Sequence, residues 1–140
     1  SMALKVVTDL ERIGDHASDI AELILIIHGK DVYKMLDHLP VMAAKASDML
    51  HDAIEAFIAQ DDSMSDEIIK KDDEIDQLFN QTKTDVAEML KASSDDDNID
   101  NAIDLLMISK YLERIGDHAV NICEWTQFSR TGAVKNVRIL

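Results

Sequence analysis

The chain has 140 residues, enough for one ordinary domain and too few for two. Apolar residues make up 46% of it and charged residues 30%, with four glycines and one proline, a composition of long folded helices and not of disorder. The formal net charge of −14 repels phosphate backbones and anionic lipid, which argues against nucleic-acid and membrane-surface binding and leaves cations and basic protein surfaces as partners.

No apolar run reaches the roughly 18 residues a membrane-spanning helix needs, so no membrane insertion is expected. The single cysteine, Cys123, rules out an internal disulfide and a cysteine-rich zinc site and fits a reducing compartment, with the cytoplasm as the expected location. Ser1 and Met2 read as the remnant of an expression tag.

Four helices follow in order. The first spans about Leu4 to His28 and stops at Gly29. The second spans about Asp37 to Gln60, with Pro40 in its first turn and Leu39, Met42, Ala46, Met49, Ala53 and Phe57 on its buried side. Ser63 with Asp66 resembles a capping box that opens the third helix, which runs to about Lys91 along a seam of Ile68, Ile75, Phe79, Thr82, Val86 and Met89. SSDDDN at 93–98 makes a turn in which Asp97 or Asn98 caps the fourth helix, and that helix reaches about Phe128. The segment 129–140 carries Arg130, Lys135 and Arg138 with no acid and lacks a helical pattern, so it is expected to be a mobile or partner-docked basic tail. The class is an all-α antiparallel bundle of four long helices occupying residues 3–128.

One segment is written twice. LERIGDHASDIAE at 10–22 returns as LERIGDHAVNICE at 112–124, with identity at ten of thirteen positions, 102 residues apart. If helices two, three and four form one repeat, the first helix is the last element of a preceding repeat. At 100° per residue, Leu10, Ile13, Ala17, Ile20 and Ile24 form a core stripe, while Glu11, Asp15, Asp19 and Glu22 lie diametrically across it. In the second copy Glu113, Asp117, Asn121 and Glu124 take the same angles, which predicts an outward acidic row. The apolar stripe of the first helix predicts burial in the bundle or against a second copy of the chain, as a homodimer or larger assembly.

Like charges at i,i+4 repel by a few tenths of a kcal/mol, and this acidic row invites an offsetting cation, either Arg12 and Arg114 at i,i+3 or a hard metal ion held through oxygen. A second pair, Asp72 and Asp76, sits beside the apolar seam of the third helix, where an unpaired carboxylate is costly. A metal site drawn from two helices would pair Asp72 and Asp76 with Glu113 and Asp117. His16 and His118 point about 100° away from these carboxylates and read as satisfied surface or interface side chains. Cys123 reads as a packed core thiol, and Gly14 and Gly116 as places where a neighbouring helix comes close. No nucleophile–base pair, phosphate loop or dinucleotide fingerprint is present in the sequence, so catalysis is not expected.

The repeated LERIGDHA helices, together with MLHDAIEAF at 49–57 and KKDDEIDQ at 70–77, resemble the PhoU family of phosphate-transport regulators, whose members carry two three-helix repeats, each with an E/D-x-x-x-D motif in its last helix. On that resemblance the motifs are Glu11 with Asp15 and Glu113 with Asp117, and Asp72 and Asp76 join the latter in a metal site. The Glu11 and Asp15 motif lacks its cognate helix in this sequence. The resemblance implies a cytoplasmic, non-enzymatic regulator that contacts the phosphate ABC-transporter ATPase and the phosphate-response sensor kinase, peripheral to the membrane through these partners. It also implies bound iron, zinc, manganese or magnesium. A cytoplasmic domain of a sodium-phosphate cotransporter and a carboxylate di-metal oxidoreductase are the alternatives.

Overall fold

A computed structural model describes residues 1–27, 37–132 and 138. Four helices make up the described chain: α1 (Met2–Ile26), α2 (His38–Ala59), α3 (Ser65–Ala92) and α4 (Asp96–Thr131). Among the described residues there is no strand, and no helix is long and apolar enough to cross a membrane. The all-α reading therefore holds. The Gly29 stop and Lys135 lie outside the described residues.

Each helix end has a local cause. Ser1 Oγ accepts a hydrogen bond from the Leu4 amide and opens α1, so a residue read as a tag remnant satisfies one of the helix's free donors. Gln60 closes α2 in the left-handed conformation at φ 53°, donating its amide to the Ala56 and Phe57 carbonyls. The expected capping box at α3 does not form. The Ser63 amide and hydroxyl both turn back to Asp61, making a local turn before the helix starts at Ser65. Asp95 caps α4 by accepting from the Asp97 amide, where Asp97 or Asn98 was expected. The α4 helix continues through Thr131, past Phe128, and Gly132 ends it at φ 73°.

The short connections at 60–64 and 93–95 turn α3 back along α2 and α4 back along α3, and α4 also packs on α1 and α2. At 36 residues α4 is about 54 Å long and serves as the central post. This position overturns the expected outward acidic row on its second half. Asn121 and Glu124 are buried, with Ile122, Cys123, Trp125 and Thr126 buried around them, because neighbours cover the helix on every side. A helix covered all round has no single apolar face, so angular sorting of its residues fails there.

The α1 helix packs on α4 alone to any large extent, and the covered sector is narrower than the expected stripe. Ile13 is buried and Leu10 and Ile20 are half-buried, but Ala17 is exposed and Ile24 is 54% exposed. Coverage instead centres on Val6, Asp9 and Ile13. The two copies of the repeat meet through equivalent faces: the His16 and His118 rings stand 5.7 Å apart, centre to centre. Position 9 of the first copy corresponds to 111 in the second, and both residues serve the opposing histidine. Asp9 Oδ1 accepts from His118 Nδ1 at 2.7 Å, and Tyr111 stacks on His16 with ring centres 5.4 Å apart. Asp9 also accepts from Trp125 Nε1 at 2.7 Å and Asn121 Nδ2 at 3.3 Å, so its buried charge holds three donors.

A candidate metal centre between α3 and α4

The seam of α3 is apolar except at Asp72, which takes the position between Ile68 and Ile75 and is completely buried. Opposite it on α4 stands Gly116. A Cβ at Gly116 would lie 3.1 Å from Asp72 Oδ1 and 3.5 Å from the Ile75 methyl, so the missing side chain makes room for this carboxylate. Gly14, its counterpart in the first copy, is exposed, and a Cβ there would meet nothing within 4 Å; the close approach expected of both glycines occurs at Gly116 alone.

Asp72, Asp73 and Asp76 each place a carboxylate oxygen within 4.8 Å of the others. Asp73, exposed on the outer side of α3, was not among the residues expected from the sequence. Glu113 and Asp117 do not complete this tight group, but they share its field. Burial, then the charges of Asp117 and Asp76, push Asp72 up to about 7. Burial, then Glu113 and Asp76, push Asp117 up to about 6. Asp76 is raised by burial and then by Glu113. The four residues expected to form one site therefore interact across the two helices, with Asp72, Asp76 and Asp117 each harder to ionise.

Cations only partly relieve this repulsion. Lys110 Nζ donates to Glu113 Oε1 at 2.7 Å and rests over the Phe79 ring. Arg138 Nε stands 3.5 Å from Asp72 Oδ2, and the Arg138 amide donates to Asn121 Oδ1 at 2.7 Å. Neither oxygen of Asp72 has a hydrogen-bond donor among the described residues, although the carboxylate is buried. A buried carboxylate without donors, among further carboxylates on two rigid helices, is a donor set that suits a hard cation.

Glu11 and Asp15 are exposed on α1. Among the described residues no group of three metal-ligating side chains includes them. His16 and His118 belong to the α1–α4 contact as interface side chains; Asp9 satisfies His118, whereas His16 Nδ1 is buried without a hydrogen-bond partner among the described residues, so the expectation of two satisfied histidines holds for His118 alone. Cys123 is 1% exposed, and burial pushes its thiol up to about 12, as befits a packed core residue.

A bundle in which two copies of one acidic helix pack face to face, the second bringing its carboxylates to a neighbouring helix, defines a helical-repeat protein with a carboxylate-rich face. The sequence model described as the PhoU domain matches residues 1–24 and 39–126, and the chain belongs to the PhoU family. It is 34% identical over 129 residues to a protein of Clostridium acetobutylicum named phosphate-specific transport system accessory protein PhoU homolog, covering 92% of this chain and 58% of that one. A protein of the same name from Borreliella burgdorferi is 33% identical, covering 96% of this chain and 61% of that one. The chain thus spans about three-fifths of the length of these curated relatives. Among solved structures, the phosphate transport system regulatory protein PhoU from Streptococcus pneumoniae superposes with a TM-score of 0.79 at 27% identity, over 96% of this chain and 66% of that one.

Proposed function

We propose that this chain is a regulatory module of phosphate uptake and of the phosphate-starvation response, acting by protein contact and not by catalysis. Membership of the PhoU family carries this reading, because relatives sharing nearly the whole of the chain are named as accessory proteins of the phosphate-specific transport system. The partners in this reading are the transporter ATPase and the response kinase, both met in the cytoplasm at the inner face of the membrane. A body of such negative charge favours basic surfaces on both.

The module binds a metal ion through Asp72 and Asp76, supported from α4 by Glu113 and Asp117. The orphaned Asp72 carboxylate supports this part of the reading. An all-oxygen donor set favours manganese, magnesium or ferric iron over zinc. The ion supplies positive charge that lets adjacent carboxylates ionise together, which rigidifies the α3–α4 face. The tight acidic group contains no histidine, so the di-metal oxidoreductase reading gains no support from it.

The regulatory claim is tested by capture of the purified transporter ATPase and of the kinase cytoplasmic domain on the immobilised chain. Saturable binding of either is the expected result. Failure of both to bind, with and without manganese, contradicts it.

A further inference from the structure

The acidic face between α3 and α4 already holds one cation, and that cation comes from the chain itself. Arg138 is described beyond the Gly132 cap of α4, and it is anchored at two points. Its amide donates to Asn121 Oδ1 at 2.7 Å, and its guanidinium Nε stands 3.5 Å from Asp72 Oδ2. Its charge acts on Asp72, Asp76 and Asp117 alike, favouring the ionised form of each. The side chain, about a third exposed, therefore pairs with Asp72 from the outer side of the carboxylate set while its charge reaches Asp76 and Asp117. The other arginine near this end of the chain, Arg130, is paired with Asp62 near the start of α3, away from these carboxylates.

We propose that Arg138 is a built-in counter-cation of the acidic site and that it competes with a metal ion for Asp72, so that metal loading releases the residue from the α3–α4 face. This rests on the metal reading above. The reason is electrostatic and steric together. A guanidinium 3.5 Å from a buried carboxylate offsets part of its cost while leaving both oxygens without a hydrogen-bond donor. A hard cation at about 2.0–2.6 Å from the same oxygens satisfies them better, but it brings two positive charges into near contact if the arginine stays. Occupation by one excludes the other. The metal then reports its presence through the position of Arg138, a change at the protein surface that a partner can read.

The affinity follows from the fraction of sites free of Arg138, since the apparent dissociation constant is the intrinsic one divided by that fraction. Removing the competitor removes this factor. The experiment titrates manganese(II) into the chelator-treated full chain, with free ion read by electron paramagnetic resonance at fixed low salt. It compares the wild type with Arg138→Gln and with Arg130→Gln, which makes the same change of net charge away from the site. The expected result is an affinity at least about fivefold tighter in Arg138→Gln, with Arg130→Gln within about twofold of the wild type. Saturable and equal affinities in all three proteins overturn the competition while leaving the metal reading standing. Equal tightening in both variants also overturns it, because the effect is then general charge. No saturable binding in any of them overturns the competition and the metal reading together.

Discussion

Replacing Asp72 with asparagine keeps the shape of a fully buried side chain and removes its charge. The wild-type carboxylate stands at about 7 in the folded chain against 3.8 when unperturbed, chiefly through burial. A folded-state value above the unfolded one means that Asp72 supports the fold fully at pH below 3.8 and that this support is lost as the pH rises through about 7. Over the interval from pH 5 to pH 8 the loss amounts to about 2–3 kcal/mol at 1.36 kcal/mol per unit. Urea denaturation of the chelator-treated proteins, followed by circular dichroism at both pH values, isolates this term as a difference. The stability of Asp72→Asn relative to wild type should rise by about 2–3 kcal/mol between pH 5 and pH 8, with the histidines and the carboxylates outside this acidic group titrating alike in both proteins. A constant difference between the two proteins across that range would show that Asp72 is not a destabilised buried anion, and the case for a cation site would lose its main physical support.

Three further outcomes are expected. Gly116→Ala should destabilise by about 1–3 kcal/mol through the contact with Asp72 and Ile75, outweighing its gain in helix propensity. Gly14→Ala, with open space around it, should stabilise by up to about 1 kcal/mol; thermal denaturation reads both, and the same sign at the two positions would count against the packing described. Asp9→Ala strands the donors of His118, Asn121 and Trp125, which should cost about 2–4 kcal/mol and red-shift the emission of Trp125, the one tryptophan; unchanged emission and stability would refute the buried acceptor. Cys123 should resist an aromatic disulfide reagent at pH 8 in the native chain and react at once in urea, since its thiol is buried and pushed up to about 12; rapid native reaction would contradict its placement.

Helix number and order were legible because α2 and α3 each bury one side and carry the matching period: Met42, Ala46, Met49 and Ala53 on one, Ile68, Ile75 and Phe79 on the other. The fourth helix was placed correctly but its orientation was misjudged. Angular sorting assumes an outer face, and α4 has almost none over 115–126, so Asn121 and Glu124 were assigned to solvent and are buried. Asp72 stood out as an acid beside an apolar seam, its pairing with Asp76 followed from spacing, and the joining of that pair to Glu113 and Asp117 was read from the two acidic helices and supported by the resemblance. Asp73 was missed because it faces away from that seam, and its carboxylate reaches the group only through its side-chain direction. Asp9 lies on the edge of the apolar stripe of α1, next to Ile20 on the helical wheel, a placement that hints at burial, but its three donors are tertiary partners on α4 that no spacing announces. No period or motif connects Arg138 to Asp72, 66 positions earlier in the numbering, because that contact is tertiary.

The account stands most directly on the cation site shared by α3 and α4. Equilibrium dialysis against manganese(II), with bound metal read by elemental analysis, should be run on the wild type and on the double variant Asp76→Asn/Asp117→Asn. The account predicts saturable retention of metal by the wild type and its loss in the double variant while the helical spectrum is kept. Undiminished metal in the double variant, or none retained by the wild type, would contradict it.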